Sequence, residues 1–393
     1  MKKIKECWTN QGIWGKVGIV AVCLQLLISA LLIFLLLQSR MIPGKYIAAV
    51  AVIWMILLGL ALLLCGKYMC KAQVLMSVFI SLFSIGLAYA TNLTTSAFAN
   101  ISTVNAKDST SRGAGKAESA DEAGKSRVQK EQKDSGQKTT DQETFQLLIS
   151  GSDQLGYLSD IGRSDVNIIA SVSAASHKVL LVNTPRDYYV TIPGISGEEK
   201  DKLTHAGIYG VEASVKTVEQ LYGIDIAYYV KVNLSSLIRI VDAIDGVDVD
   251  VDQDFTAGSY TFVKGNNHMN GQAALAFCRE RYSFIDGDNQ RGKNQQKVVT
   301  AIFHKMISAD MLLKVPELLD YLQNCFETNM PYDMMAGFVR RQLEDNASWD
   351  VQSISVTGTG DEQECYSAPG EMLYVMQPDM ESVKSASEAI KAN

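Results

Sequence analysis

The chain has 393 residues, 47% of them hydrophobic and 20% charged, with a net charge of −7. That length holds a membrane region plus a domain, or two domains, and the acidic balance argues against nucleic acid as a partner. Seven cysteines with no CxxC pair and no His/Cys cluster form neither a disulfide framework nor a zinc site.

The apolar excess is concentrated at the N-terminus. Residues 17–37, 46–65 and 72–91 read as three transmembrane helices, each apolar on every face and close to the about 20 residues that cross a hydrocarbon core. Lys2, Lys3, Lys5 and Lys16 precede the first, Lys67 and Lys71 separate the second from the third, and the first loop holds only Arg40 and Lys45. This bias puts the N-terminus in the cytoplasm and everything after the third helix outside. A small-residue cleavage site at Ala88-Tyr89-Ala90 is the competing reading, and the two preceding spans weigh against it. Residues 1–92 are therefore assigned to the membrane. From 93 to 142 small polar and charged residues dominate. Such a segment buries too little apolar surface to offset its ordering entropy and reads as a disordered extracellular tether.

Residues 143–393 form the extracellular domain. Phe145–Gly151, Asp165–Ser173 and Lys178–Asn183 have the run lengths of strands. Val211–Tyr222 puts Val215, Val218, Leu221 and Tyr222 on one helical face and stops at Gly223. A strand at Ala227–Asn233, a helix at Leu234–Ile244 and a strand at Val247–Val251 follow. Helices are expected over Ala273–Phe277 and Arg291–Ile307 and on to about Leu343, then a strand near Val351–Thr357 and a terminal polar helix. Strands alternating with helices predict an α/β domain around a layered sheet.

Four clusters could carry chemistry: Gly151-Ser152-Asp153 with Arg163-Ser164-Asp165; Asn183-Thr184-Pro185-Arg186-Asp187; Asp201-Lys202-Leu203-Thr204-His205; and the run from Phe277 to Gln296. Several fall where a strand gives way to a loop, the edge at which open α/β sheets bind ligands. Arginine offers a planar fork of donors to phosphate oxygens. Arg163, Arg186, Arg279, Arg281 and Arg291 converging on one cavity need an anion there. Asp153, Asp165 and Asp288 would offset the charge or hold magnesium through oxygen ligands. Together the groups suit a pyrophosphate.

Geometry constrains the last cluster. On a continuous helix Arg279 and Arg281 point roughly 200° apart, whereas on an extended segment residues i and i+2 face the same way. The helix must therefore end near Arg279. Arg291 and Gln295 share one helical face, and Asp288 lies just before that helix, where a carboxylate is favoured. Cys278 reads as a packed thiol, Glu280 and Lys293 as solvated surface, and His177, His268 and His304 as structural. His205 is a candidate by neighbourhood alone. A Cys325–Cys365 bridge is left open. Neither a G-x-S-x-G nor a P-loop sequence occurs.

These motifs, together with Gly246-Val247-Asp248-Val249 and in this order from Phe145 to Ser308, resemble the LytR–CpsA–Psr family of bacterial cell-envelope proteins, in its membrane-anchored form. The resemblance implies an α/β/α sandwich with a central mixed sheet, whose motif-bearing core is 145–308 and whose C-terminal extension is 309–393. It implies a magnesium-dependent phosphotransferase that moves an anionic glycopolymer, capsular or teichoic-acid type, from an undecaprenyl-pyrophosphate carrier to peptidoglycan, with an apolar channel for the polyprenyl tail. By the same resemblance Arg186, Arg279 and Arg281 grip the pyrophosphate, and Asp153 and Asp165 carry Mg2+. Arg163, Asp187, Lys202, Asp288, Arg291 and Gln295 form the surrounding shell. The base that accepts the hydroxyl proton is left between Asp187 and Asp288. A lipid pyrophosphate hydrolase and a non-catalytic regulator of envelope synthesis are the alternatives.

Overall fold

The computed structural model describes residues 13–63, 74–92, 144–153, 162–285, 287–308 and 325–393, with 311, 318 and 322. The chain divides into two compact units, residues 1–98 with 335–346 and residues 99–334 with 347–393. The expected tether at 93–142 lies outside the described residues, as does most of the stretch from 309 to 324.

The first unit contains three apolar helices, α1 (Ile13–Gln38), α2 (Gly44–Leu63) and α3 (Val74–Asn92). Leu32, Leu36 and Ile47 are buried among them, with Trp54 and Leu87 packed alongside. Trp54 Nε1 donates to Ser84 Oγ at 3.1 Å, tying α2 to α3. Large apolar side chains such as Leu27, Phe34, Ile56 and Phe79 face outward, which is the surface a lipid phase stabilises. Two of the three expected spans are matched by length: Val20–Gln38 and Val74–Asn92 are long and apolar enough to cross a membrane, while the apolar part of α2 is shorter, Gly44–Leu60. Lys45 occupies the first turn of α2, and residues 64–73 lie outside the described chain.

The second unit is built on six strands: β1 (Thr144–Ser152), β2 (Val166–Ser173), β3 (Lys178–Asn183), β6 (Tyr228–Asn233), β11 (Glu327–Thr328) and β12 (Asp350–Ser355). Their order is β11-β6-β1-β2-β3-β12. β1–β2, β2–β3 and β6–β11 are antiparallel, whereas β1–β6 and β3–β12 are parallel. β2 is buried along nearly its whole length, with Asn167, Ser171 and Ser173 among its buried residues, so its sequence does not alternate between an apolar and a solvated face.

One face of the sheet offers Leu148, Ile169, Leu180 and Val182 to α4 (Val211–Tyr222) and α8 (Met380–Ala392). Gly223 closes α4 in the left-handed conformation at φ 60°, as its sequence position predicts. A second core joins α5 (Leu234–Ala243), β7 (Val247–Val251), α6 (Gly271–Arg279) and α7 (Asp288–Met306) through Val241, Val247, Phe277 and Val298. From it α7 reaches across to β2, β3 and β12. The observed class is the expected α/β one with a central mixed sheet.

Sequence reading missed the short pairs: β4 (Tyr189–Thr191) with β5 (Lys200–Lys202), β8 (Phe255–Ala257) with β9 (Tyr260–Phe262), and β10 (Gly265–Met269) against β7. It also missed the antiparallel hairpin of β13 (Gly358–Cys365) and β14 (Ala368–Pro378), whose strands are largely exposed and so lack a buried alternation. α7 begins three residues before its expected start. Gly287, at φ 48°, takes the position ahead of the helix, so Asp288 is a first-turn acid rather than a flanking residue. Cys325 and Cys365 are both buried and neither is in a disulfide, so the bridge left open by the sequence is not formed.

The close crossing of α5 and α6 depends on Gly271, where an added Cβ would lie 2.3 Å from the Ile238 carbonyl oxygen. Backbone cannot yield as a side chain can. Gly271→Ala is expected to destabilise the domain by about 1–3 kcal/mol, read as a lowered Tm of the full-length protein in detergent.

Candidate active site

Strand polarity gathers the charged residues. Gly151 at the end of β1 pairs with Val166 at the start of β2, and Ile168 pairs with Asn183 at the end of β3. Asp153, Asp165 and Arg186 therefore leave the sheet at the same edge. A buried polar network fixes that edge: Ser164 Oγ meets Asn167 Oδ1 at 2.6 Å and Ser150 Oγ at 3.0 Å. Thr204, in a helical turn from Leu203 to Ala206, bridges the two neighbouring segments. Its N–H donates to Arg186 O at 2.8 Å, and its carbonyl accepts from Ser164 N at 2.9 Å. Gly207 permits this, since a Cβ there would meet Gly162 O and Ser164 N at 2.6 Å.

Arg186 Nη1 donates to Asp165 Oδ1 at 2.6 Å. Asp153 lies beside Asp165, its N–H reaching Asp165 Oδ2 at 3.3 Å, and its carboxylate pairs with Arg279 Nη2 at 3.3 Å. α6 ends at Arg279 and Glu280 is extended with ψ 130°, so the helix stops between the two arginines as the sequence argument requires, with Arg279 its last residue and Arg281 beyond it. Asn294 and Gln295 on α7 donate to the Phe277 and Cys278 carbonyls at 3.3 and 3.4 Å, satisfying the otherwise open end of α6. Arg291 Nη2 pairs with Asp288 Oδ1 at 2.7 Å. Arg281 lies over the Tyr282 ring, 4.7 Å from its centroid.

Asp153, Asp165, Arg186, Arg279, Arg281, Arg291 and Gln295 all line one cavity of about 670 Å3. Its remaining wall is largely apolar and includes Ile149, Val232, Leu237, Leu275 and Val298. Asp288 bounds a small adjoining recess at the start of α7 that shares Asp165, Arg186, Arg291 and Gln295 with the cavity. Other expected members lie elsewhere. Asp187 pairs with Lys202 at 3.3 Å and with Arg186 Nε at 3.4 Å, and neither Asp187 nor Lys202 lines the cavity. Arg163 is exposed and lines it no more than they do. The apolar wall from β6 and α5 and the aromatic rim of Tyr260 and Tyr282 went unread in the sequence. Apolar residues at helical spacing look the same whether they face a core or a cavity.

The arginines feel one another. Burial lowers the pKa of Arg291, and the nearby charges of Arg186 and Arg281 lower it further against the support of Asp288 and Asp165. Arg186 is also opposed by burial, but the hydrogen bond to Asp165 and the charges of Asp187, Asp165 and Asp288 raise it above the ordinary arginine value. Guanidiniums gathered in a partly buried space favour an anion between them. The two carboxylates at Asp153 and Asp165 are hard oxygen donors at one corner of the same space, the donor set magnesium takes alongside phosphate oxygens.

His205 is buried behind the site. Its Nδ1 lies 2.6 Å from Asp201 Oδ1 and 2.8 Å from Ser367 Oγ, and Ser367 N donates to Asp201 Oδ2 at 3.0 Å. A Ser-His-Asp relay uses opposite ring nitrogens. Here both partners meet the same one, so the group clamps the tip of the β13–β14 hairpin to the loop that carries Lys202.

Three comparisons bear on this geometry. The family model for the LytR_cpsA_psr family matches residues 106–389. A polyisoprenyl-teichoic acid–peptidoglycan teichoic acid transferase TagU of Bacillus mycoides (strain KBAB4) is 35% identical over 224 residues, 57% of this chain and 72% of that protein. Its namesake in Oceanobacillus iheyensis is 33% identical over 237 residues, 58% and 72% of the two chains. Among solved structures, B. subtilis TagV superposes with a TM-score of 0.54 at 25% identity, covering 64% of this chain and 96% of its own. TagT bound to LIIa-WTA superposes with a TM-score of 0.53 at 26% identity, covering 64% and 91%.

Two predictions follow from the local chemistry. Burial pushes the Cys278 thiol up to about 12. It should therefore resist alkylation by iodoacetamide at pH 8 in the folded protein and react on unfolding, as peptide mass spectrometry would read. Burial opposes the Asp201 charge, but hydrogen bonds from His205 and Ser367 hold its pKa below the ordinary carboxylate value. A depressed folded-state pKa gives stability that is present above the unfolded value of about 3.9 and lost as pH falls through the folded one. Asp201→Asn should lower Tm at neutral pH and flatten its decline below about pH 4.

Proposed function

The chain belongs to the LytR_cpsA_psr family, and from that premise we propose that it transfers an anionic cell-wall glycopolymer, of teichoic-acid or capsular type, from a polyprenyl-pyrophosphate carrier to peptidoglycan. The observation that carries this reading is the divided wall of one cavity. Arg186, Arg279, Arg281 and Arg291 stand at its charged part, and aliphatic side chains line the rest. A pyrophosphate on a polyprenol has the matching division. The relatives named as teichoic acid transferases support the same reaction. The apolar helices of the first unit hold the domain at the bacterial cytoplasmic membrane where such a lipid resides. In this proposal there are three spans, with the N-terminus inside and the catalytic domain outside.

In the reaction, a hydroxyl oxygen of a peptidoglycan sugar attacks the glycan-side phosphorus. The bond to the bridging oxygen breaks, and polyprenyl monophosphate leaves with that electron pair. Arg186 and Arg279 donate to the oxygens on which charge develops, where fixed donors in a water-poor site act most strongly. Arg281, stacked on Tyr282, and Arg291 hold the glycan-side phosphate. The hydroxyl proton passes to Asp288, which bounds the recess beside the phosphates and pairs with Arg291. Asp187 does not line the cavity and is held by Lys202 and Arg186. Asp153 and Asp165 would hold Mg2+, whose contribution would be to neutralise pyrophosphate charge.

Arg186→Ala should lower kcat/KM for transfer by about a hundredfold or more, in an assay with the purified full-length protein, lipid-linked glycopolymer and peptidoglycan. Transfer at the wild-type rate by a folded Arg186→Ala protein would overturn the reading. Release of polyprenyl monophosphate with no glycan gained by peptidoglycan would make the protein a hydrolase instead.

A further inference from the structure

Behind the catalytic cavity, on the opposite side of α7, lies a second and larger groove of about 950 Å3. One helix separates the two. Arg291, Gln295, Val298 and Val299 face the cavity, while Asn289, Lys293, Lys297, Thr300 and His304 face the groove. The spacing of three and four residues in each set gives two stripes on opposite sides of one helix. The far wall is made by Asp248 and Asp250 of β7 and by Ser353 and Ser355 of β12.

The groove has a built floor. Gln296 is 2% exposed and spans two strands, its Nε2 donating to Leu181 O at 3.1 Å and Ile354 O at 2.7 Å, while Ser355 Oγ donates to its Oε1 at 3.2 Å. Midway along α7, Lys297 Nζ reaches Asp252 Oδ1 at 2.7 Å and Asp250 O at 2.9 Å, and near its start Gln290 Nε2 also reaches Asp252, at 3.3 Å. This fixes the helix to the β7 wall. The groove and the catalytic cavity share no lining residue, and a small recess at the helix N-terminus lies between them. The recess there is bounded by Asp288 and Asn289, sharing Asn289 with the groove and Asp165, Arg186, Arg291 and Gln295 with the cavity. Gly292 lets the helix start lie this close to β3, since a Cβ would fall 2.2 Å from Asn183 Nδ2.

We propose that this groove binds the acceptor: a peptidoglycan glycan strand whose target hydroxyl passes around the start of α7 to Asp288. The inference rests on the transferase reading above and adds to it where the second substrate lies. The wall chemistry fits that occupant. Amide and hydroxyl side chains suit N-acetyl and hydroxyl groups, and the aspartates of β7 disfavour the polyanionic donor polymer. From Asn289 to Lys305 the helix runs about 24 Å, so the groove takes several linked rings. The donor enters from one side of α7 and the acceptor from the other, so neither must leave for the other to bind.

The test measures binding apart from chemistry. The full-length protein in detergent is titrated calorimetrically with a tetrasaccharide of alternating N-acetylglucosamine and N-acetylmuramic acid, and separately with lipid-linked glycopolymer. Thr300→Trp on α7 and Ser355→Tyr on β12 obstruct the groove from opposite walls, and each is checked for an unchanged Tm. The expected result is tetrasaccharide binding weakened about tenfold or more by each variant, with donor affinity within about twofold of wild type. Unchanged tetrasaccharide affinity in folded variants, with transfer intact, overturns the groove and leaves the transferase reading standing. Weakened donor binding instead assigns the groove to the donor polymer and also overturns the proposal. Tetrasaccharide binding that the variants abolish, in a wild-type protein that transfers nothing, retains the groove and overturns the transferase reading.

Discussion

The register of β1, β2 and β3 is the constraint on which the rest of the site depends. Asp153 and Asp165 are twelve positions apart, and Asp165 and Arg186 twenty-one, yet they meet because antiparallel pairing turns the chain back to the same sheet edge twice. A slip of one residue would send every side chain of a strand to the other face. The buried contacts of Ser150, Ser164 and Asn167 oppose such a slip, because polar groups left unpaired at that depth cost more than their bonds contribute. Thr204 then fixes the Arg186 backbone to the segment ahead of Asp165, so the central pair is set by main-chain geometry before any side chain is placed.

The charged pairs at this edge differ in how firmly they are held. Arg186 and Asp165 are largely covered, with side-chain exposures of 25% and 13%, whereas Arg279 and Asp153 are at 57% and 42%. An exposed ion pair contributes about 1 kcal/mol or less, so Arg279 can trade its carboxylate for a phosphate oxygen at small cost. Arg186 is a fixed donor. A preorganised group beside an adaptable one suits a site that must both recognise an anion and hold it as charge moves. The aliphatic walls contributed by α5, α6 and α7 keep water from the far end of the cavity and strengthen each of these interactions.

Much of this was legible in the sequence, for identifiable reasons. The buried strands each hold a short apolar stretch, such as Leu147–Ile149 and Val179–Val182, Gly223 has the left-handed conformation that ends α4, and the incompatible directions of Arg279 and Arg281 on a helix foretold that α6 stops between them. Asp288 was misjudged by one step because Gly287 adopts a positive φ that a glycine allows but does not announce. Arg163, Asp187 and Lys202, which the resemblance places in the surrounding shell, do not line the cavity: Arg163 is exposed, and Asp187 pairs with Lys202 beside Arg186. The β13–β14 hairpin and its clamp through Ser367, Asp201 and His205 were invisible, because the hairpin is exposed and its anchor is a contact across more than a hundred residues. The apolar wall of the cavity was hidden for a different reason, since side chains facing an empty space follow the same helical spacing as those facing a core.

The central claim is that phosphorus, not the sugar carbon, is the atom attacked. It is tested most directly by following the two phosphates of a lipid-linked glycopolymer labelled separately with phosphorus-32 during transfer by the purified full-length protein. The account predicts that the glycan-side phosphate appears in a phosphodiester with peptidoglycan and the lipid-side phosphate remains on polyprenyl monophosphate, in equal amounts. Recovery of both labels on the lipid as a pyrophosphate, with the glycan joined to peptidoglycan through carbon, would contradict it.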